Sequence, residues 1–160
     1  MSWVLKFKII GAFIATVVYY PLYFLYKKFP NFFTSIFSLV NDSLWEQAKV
    51  IFGSILIGGI TQKLISIVYK IHVNNICFST FISAIVAIPI YIVLVSILSS
   101  LLGKRYVIKI LGAIISILIA QVISYFIMQK PEFKLENYTI IFAIITYIIF
   151  MFITYFKNKI

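Results

Sequence analysis

Acidic side chains are scarce in this 160-residue chain: Asp42, Glu46, Glu132 and Glu136 stand against 14 lysines and arginines. There is one histidine, His72, and one cysteine, Cys77. These shortages exclude much enzyme chemistry. An HExxH site or a Cys/His zinc cluster needs more ligands than the chain has, and a single aspartate cannot form an aspartyl dyad. A Ser–His dyad would need His72 without a GxSxG-type turn to present the serine, and no P-loop occurs. Cys77 cannot close an intramolecular disulfide and reads as a packed thiol. His72 reads as a boundary residue. The inventory leaves a reaction assisted by the carboxylates of Asp42 and Glu46, and it specifies neither a cofactor nor a metal.

What the chain has in abundance is apolar surface. Hydrophobic residues make up 63% and charged residues 11%, with a mean hydropathy of +1.10, far from the roughly 45–50% apolar and about 25% charged residues of globular domains. A helix needs about 20 mainly apolar residues to cross the ~30 Å hydrocarbon layer, and it satisfies its own backbone there. Five runs of that length occur, at residues 4–26, 46–69, 76–102, 106–128 and 138–156. The expected fold is all-α: one polytopic integral membrane helical bundle of five transmembrane helices. Within these 160 residues the spans leave no room for a soluble catalytic domain. The first run has lysines ahead of it like a signal peptide, but it lacks a small-residue cleavage site and reads as retained. Lys6 and Lys8 are close enough to its start to snorkel.

Residues 31–40 are too apolar for a solvated loop. Phe32, Phe33, Ile36, Phe37 and Val40 recur at helical spacing, with Thr34, Ser35 and Ser38 between them, after a Pro30-Asn31 start. This pattern predicts an in-plane or re-entrant amphipathic helix between the first two spans. Ser54 and Gly58, Ser79, Ser83 and Ala87, and Gly112 and Ser116 repeat at four-residue spacing, the pattern that lets membrane helices approach closely. Pro89 removes one backbone hydrogen bond in the third span and predicts a kink.

Alternating spans put Lys27, Lys28, Lys49, Lys104, Arg105, Lys109, Lys157 and Lys159 on one side, and Lys6, Lys8, Lys63, Lys70, Lys130 and Lys134 on the other. The positive-inside rule then makes the C-terminus cytoplasmic and the N-terminus outside, in the cell membrane. The net charge of +10 needs no nucleic-acid partner, because flanking lysines meet anionic headgroups of the lipid bilayer.

The stretch SLVNDSLWEQAKVIF, residues 38–52, holds two of the four acidic residues. One reading is a well-capped helix start. Ser43 and Glu46 match the capping box, Asp42 and Glu46 face the positive end of the helix dipole, Trp45 anchors at the interface, and Glu46 pairs with Lys49. The other reading is a binding site. At about 100° per residue Asp42, Glu46, Lys49 and Gly53 fall in one stripe, and a cap does not need all of Asn41, Asp42, Ser43, Glu46, Gln47 and Lys49. On that reading Asn41, Asp42 and Glu46 converge on a pocket under the in-plane segment, with Trp45 as one wall.

VNDSLWEQAK resembles the VNES-x-WEH-x-K signature of a family of small, uncharacterised bacterial integral membrane proteins, which carry it just after the first transmembrane helix. The resemblance covers the first two spans and implies a small multi-pass architecture, with a special role for Asn41, Ser43, Trp45, Glu46 and Lys49. Asp42 stands where the signature has Glu and Gln47 where it has His, so a metal set built on those two is not matched. No activity is assigned to the family, and the resemblance implies no chemistry.

A second polar group lies deeper. Gln62 and Lys63 come about five residues past the middle of the second span and Gln121 about four past the middle of the fourth, which places them at one depth, roughly 6–8 Å from the midplane. Thr80 and Ser83 reach the same half. An intramembrane lysine costs roughly 2.5–3.5 kcal/mol on insertion scales and by default suggests function. Lys63 either snorkels to the headgroups or, with no carboxylate assigned to its depth, faces the interior beside Gln121 and holds an anionic ligand.

Together these features predict a small-molecule or ion binding protein of the membrane, as a transporter or the membrane subunit of a transport complex. The alternatives are an accessory or assembly subunit that docks a membrane-protein partner or a further copy of itself, and a carboxylate-dependent membrane enzyme.

Overall fold

The computed structural model describes residues 3–103 and 106–157. Six helices follow one another: α1 (Trp3–Lys28), α2 (Phe32–Phe37), α3 (Leu44–Val68), α4 (Ile76–Leu102), α5 (Tyr106–Met128) and α6 (Glu136–Lys157). All but α2 are long and apolar enough to cross a membrane. The protein is a multi-pass membrane helical bundle, with the short amphipathic helix between its first two spans as expected.

Helix α2 is shorter than the residues 31–40 proposed for it, for local reasons. Asn31 caps it by accepting from the Thr34 backbone N–H at 2.9 Å, while the Thr34 hydroxyl accepts from the Asn31 N–H at 3.1 Å, a reciprocal capping box. It stops at Ser38, whose backbone is extended. The Ser38 hydroxyl accepts from the Tyr26 backbone N–H at 2.7 Å and draws the chain back onto α1. Phe32, Phe33 and Phe37 stay exposed, the aromatic face that an in-plane helix offers to lipid.

Helices α1, α3, α4 and α5 pack as a ring, with α3 and α5 also touching across it, and α6 leans on α3 and α4 from outside. Small residues set the closeness of this ring. A Cβ on Gly58 would meet the Gly11 carbonyl oxygen at 3.0 Å, and one on Gly59 would collide with the Thr80 side chain. The predicted small-residue repeats are all buried. The Ser54, Ser79, Ser83 and Ser116 hydroxyls each donate to a carbonyl three residues back in their own helix, so these serines act in packing. Tyr19, Tyr23, Phe52, Ile55, Tyr91 and Ile117 fill the centre.

At one end the bundle is laced by Asn75, buried and in the left-handed conformation at φ 57°, which asparagine tolerates better than most residues. Its Nδ2 donates to the carbonyls of Lys130 (3.1 Å) and Pro131 (2.9 Å), and its Oδ1 accepts from the Phe133 N–H at 2.9 Å. The turn before α4 thereby fixes the α5–α6 loop.

Candidate functional site

Two polar centres sit at opposite ends of the bundle, and the structure sorts the candidate residues between them differently from the sequence pattern.

At the α3 start, Asn41 Oδ1 accepts from the Ser43 N–H at 3.0 Å, and Ser43, the N-cap, accepts from the Glu46 N–H at 3.3 Å. The return half of the expected capping box is not made. Glu46 instead turns inward and accepts from the Val40 N–H at 3.1 Å and from Lys49 Nζ at 2.8 Å, both on Oε2, with the Thr154 hydroxyl donating to Oε1. Lys49 also donates to the Ser35 carbonyl at 2.7 Å and to Thr154 Oγ1 at 3.3 Å. Its side chain is 0% exposed and that of Glu46 2%. All three ammonium protons have partners, and the pair ties α2, α3 and α6 together. Its charge is balanced inside the bundle.

Asp42 does not join this pair. It precedes the N-cap, where helical geometry no longer applies, so the predicted stripe breaks there. Its carboxylate accepts from the Tyr23 hydroxyl at 3.3 Å and lies 3.9 Å from Lys27 Nζ at the surface. Trp45 packs its ring on Phe150, centroids 4.5 Å apart, between α3 and α6. A cavity of about 240 Å³ does lie beneath α2, lined by Tyr26, Phe32, Ser35, Ile36, Val40, Met151, Thr154 and Tyr155. Asn41, Asp42, Trp45 and Glu46 do not line it, so the convergent pocket expected of the motif is not formed. Gln47 is buried, with Nε2 on the Asp42 carbonyl at 3.4 Å and Oε1 without a partner.

At the opposite end, Gln62 and Gln121 do meet, but the lysine between them is Lys8. Its Nζ donates to Ser124 Oγ at 2.6 Å, Gln62 Oε1 at 3.3 Å and Gln121 Oε1 at 3.4 Å, and the residue is 4% exposed. Gln62 is held by a hydrogen bond from its Nε2 to the Phe7 carbonyl. The snorkelling expected of Lys8 does not occur, because the buried face of α1 runs through Lys8, Gly11, Ala15, Tyr19 and Tyr23. Glycine at position 11 admits the Gln62 amide beside it, where a Cβ would collide. The three-, four-, four- and four-residue steps of that face were legible in the sequence, and they mark Lys8 as interior.

Lys63 departs from the expectation in the other direction. It is on the outer side of α3, half-exposed and 2.7 Å from Glu136 Oε2. Glu136 is the first residue of α6 rather than part of a remote loop, and the approach of α6 to α3 supplies the carboxylate that the span pattern placed out of reach. Ser83, expected to offer a donor here, spends its hydroxyl on the Thr80 carbonyl.

The contrast between the two buried lysines is electrostatic. Lys49 has a carboxylate, and Lys8 has only neutral oxygens. Asp42, Glu46 and Glu136 are engaged elsewhere, and Glu132 is exposed beyond the end of α5. Among the described residues, groups of three or more His, Cys, Asp or Glu that could hold a metal do not occur. In comparisons with protein families, with curated proteins and with solved structures, nothing matches this chain.

Proposed function

We propose that the protein binds a small anionic solute inside the membrane, at Lys8, as a transporter or as the membrane subunit of a transport complex. The observation that carries the reading is a buried lysine whose Nζ has Gln62, Gln121 and Ser124 as partners and, among the described residues, no carboxylate beside it. Burying an unpaired charge is costly, and in a membrane helix such a residue by default marks a ligand or ion path. Lys8 is five residues from the start of α1, Gln62 six from the end of α3 and Gln121 seven from the end of α5. At 1.5 Å per residue all three sit roughly 7–11 Å inside one face. An anion there restores neutrality, and the Ser124 hydroxyl and a rotated glutamine amide supply its remaining donors.

The test is anion-dependent melting of the detergent-purified protein with chloride, inorganic phosphate and acetate. At a hundredfold excess over Kd, one of them should raise the wild-type Tm by about 5 °C or more. Lys8→Met should abolish the rise and Lys8→Arg should keep part of it. An equal rise in Lys8→Met would sink the reading.

The reading includes kinship of VNDSLWEQAK with the VNES-x-WEH-x-K membrane family, and the cell-membrane orientation with the C-terminus cytoplasmic. Lys104, Arg105 and Lys159, part of that charge bias, lie outside the described residues. With Lys49 and Lys8 both buried, each side loses one surface charge and the bias keeps its sign. Reporter fusions after Lys28 and after His72 should report opposite sides, cytoplasmic for the first. An assembly role is the second reading, favoured by α6, in which Thr139, Phe150 and Thr154 alone are buried among the described residues. Native mass spectrometry finding a stoichiometric protein partner would favour it.

A further inference from the structure

Between α3, α4 and α6 runs a cleft of about 600 Å³ whose walls are apolar along most of their length, among them Leu56, Ile60, Phe81, Ile144 and Ile148. It is separate from the Lys8 centre. Several wall residues, including Ile57, Ile60, Leu64, Ile140 and Ile144, are also exposed on the outer surface, so the cleft opens sideways to the hydrocarbon of the bilayer. Leu22, Phe37 and Tyr147 are grouped toward one end, where the Tyr147 hydroxyl donates to the Ile36 carbonyl of α2. The other end holds the few polar side chains of the walls. Lys63, Cys77, Thr80 and Thr139 line it, and the Thr80 hydroxyl, on a residue 6% exposed, has no hydrogen-bond partner.

We propose that this cleft is a site for one chain of an anionic membrane phospholipid, its phosphate held at Lys63. Along α3 the cleft extends from Gly53 to Lys63, roughly 15 Å at 1.5 Å per residue, a length that one acyl chain fills, and the Lys63 side chain reaches from its end toward the headgroups. A single acyl chain entering from the Lys63 side therefore reaches the far end beside Leu22, Phe37 and Tyr147. Charge selects the head. Lys63 gives Glu136 one hydrogen bond and is only half-buried, leaving ammonium protons for a phosphate oxygen. Lys70, Lys130 and Lys134 share this end with Lys63, against Glu132 and Glu136, so the rim is positive. A zwitterionic lipid presents an equal positive charge to it, and an anionic one does not.

The experiment is native mass spectrometry of the full chain, delipidated in a neutral detergent and titrated with phosphatidylglycerol or phosphatidylcholine of the same chains. Phosphatidylglycerol should add one molecule per chain, about fivefold more tightly than phosphatidylcholine. Lys63→Gln, at a half-exposed position that leaves packing intact, should bring the two lipids to within about twofold. Ala143→Phe, which fills the cleft from the α6 wall, should abolish the one-to-one adduct of both lipids. Phosphatidylglycerol and phosphatidylcholine binding alike to the wild type, or a preference that survives Lys63→Gln, would overturn the proposal, and neither result depends on whether Ala143→Phe folds.

Discussion

Lys49 and Lys8 are the same side chain, equally hidden from solvent at opposite ends of one bundle, and they do different things. Lys49 is matched by Glu46 and completed by Ser35 and Thr154, so its charge is spent on holding α2 and α6 against α3. Lys8 is surrounded by neutral oxygens, so its charge remains available. A buried ion pair is costly to desolvate and becomes tolerable only when its hydrogen bonds are complete. Lys8 also has three acceptors, so the counter-charge separates the two: its presence makes one centre a brace, and its absence makes the other a candidate binding site.

The largest break in this comparison comes from Glu46→Gln. It leaves the Lys49 ammonium buried without a counter-charge, and unfolding in detergent should show a loss of roughly 3–5 kcal/mol, the usual consequence of removing one partner of a buried pair. Adding Lys49→Met should recover much of that loss, because the orphaned charge goes with it. A single variant that unfolds like the wild type would mean that Glu46 and Lys49 are not a brace.

Ser43→Ala should cost about 0.5–2 kcal/mol by the same measurement, the ordinary effect of deleting an N-cap oxygen. The order matters more than the value. Were the stretch only a helix start, Ser43 would be its most sensitive polar residue. With Glu46 buried, Glu46→Gln must exceed it.

The smallest effect on stability is expected from the residue placed at the ligand. Lys8→Met removes a charge costing roughly 2.5–3.5 kcal/mol in a membrane helix together with three hydrogen bonds of about 0.5–1.5 kcal/mol each. These offset, so stability should move by less than about 1 kcal/mol while anion-dependent melting disappears. A loss as large as that of Glu46→Gln would make Lys8 a second brace.

The candidate site was legible in part. Gln62 and Gln121 stand at one depth because helical rise is constant, and counting residues was enough to pair them. Lys63 was assigned to them because it adjoins Gln62 in the chain, although neighbours in a helix point about 100° apart. With Gln62 turned inward, Lys63 faces α6 and finds Glu136 there. Lys8 was passed over because a lysine near the first turn of a span usually snorkels, and only its place on the Gly11–Ala15 seam argued otherwise. In the VNDSLWEQAK stretch the cap at Ser43 was readable from local spacing. The inward turn of Glu46 was not, since it depends on Thr154, 108 residues away in sequence.

What the sequence by itself determined is the solvent and the elements: apolar runs of span length can satisfy their backbones in lipid only as helices, and small residues at four-residue spacing mark the faces that meet. The tertiary structure decided which charges are buried and which of them are balanced. Charge balance is a property of pairs that different helices bring together, and the α6 approach that gives Glu136 to Lys63 and Thr154 to Glu46, yet brings no acid to Lys8, is encoded in no single segment of the chain.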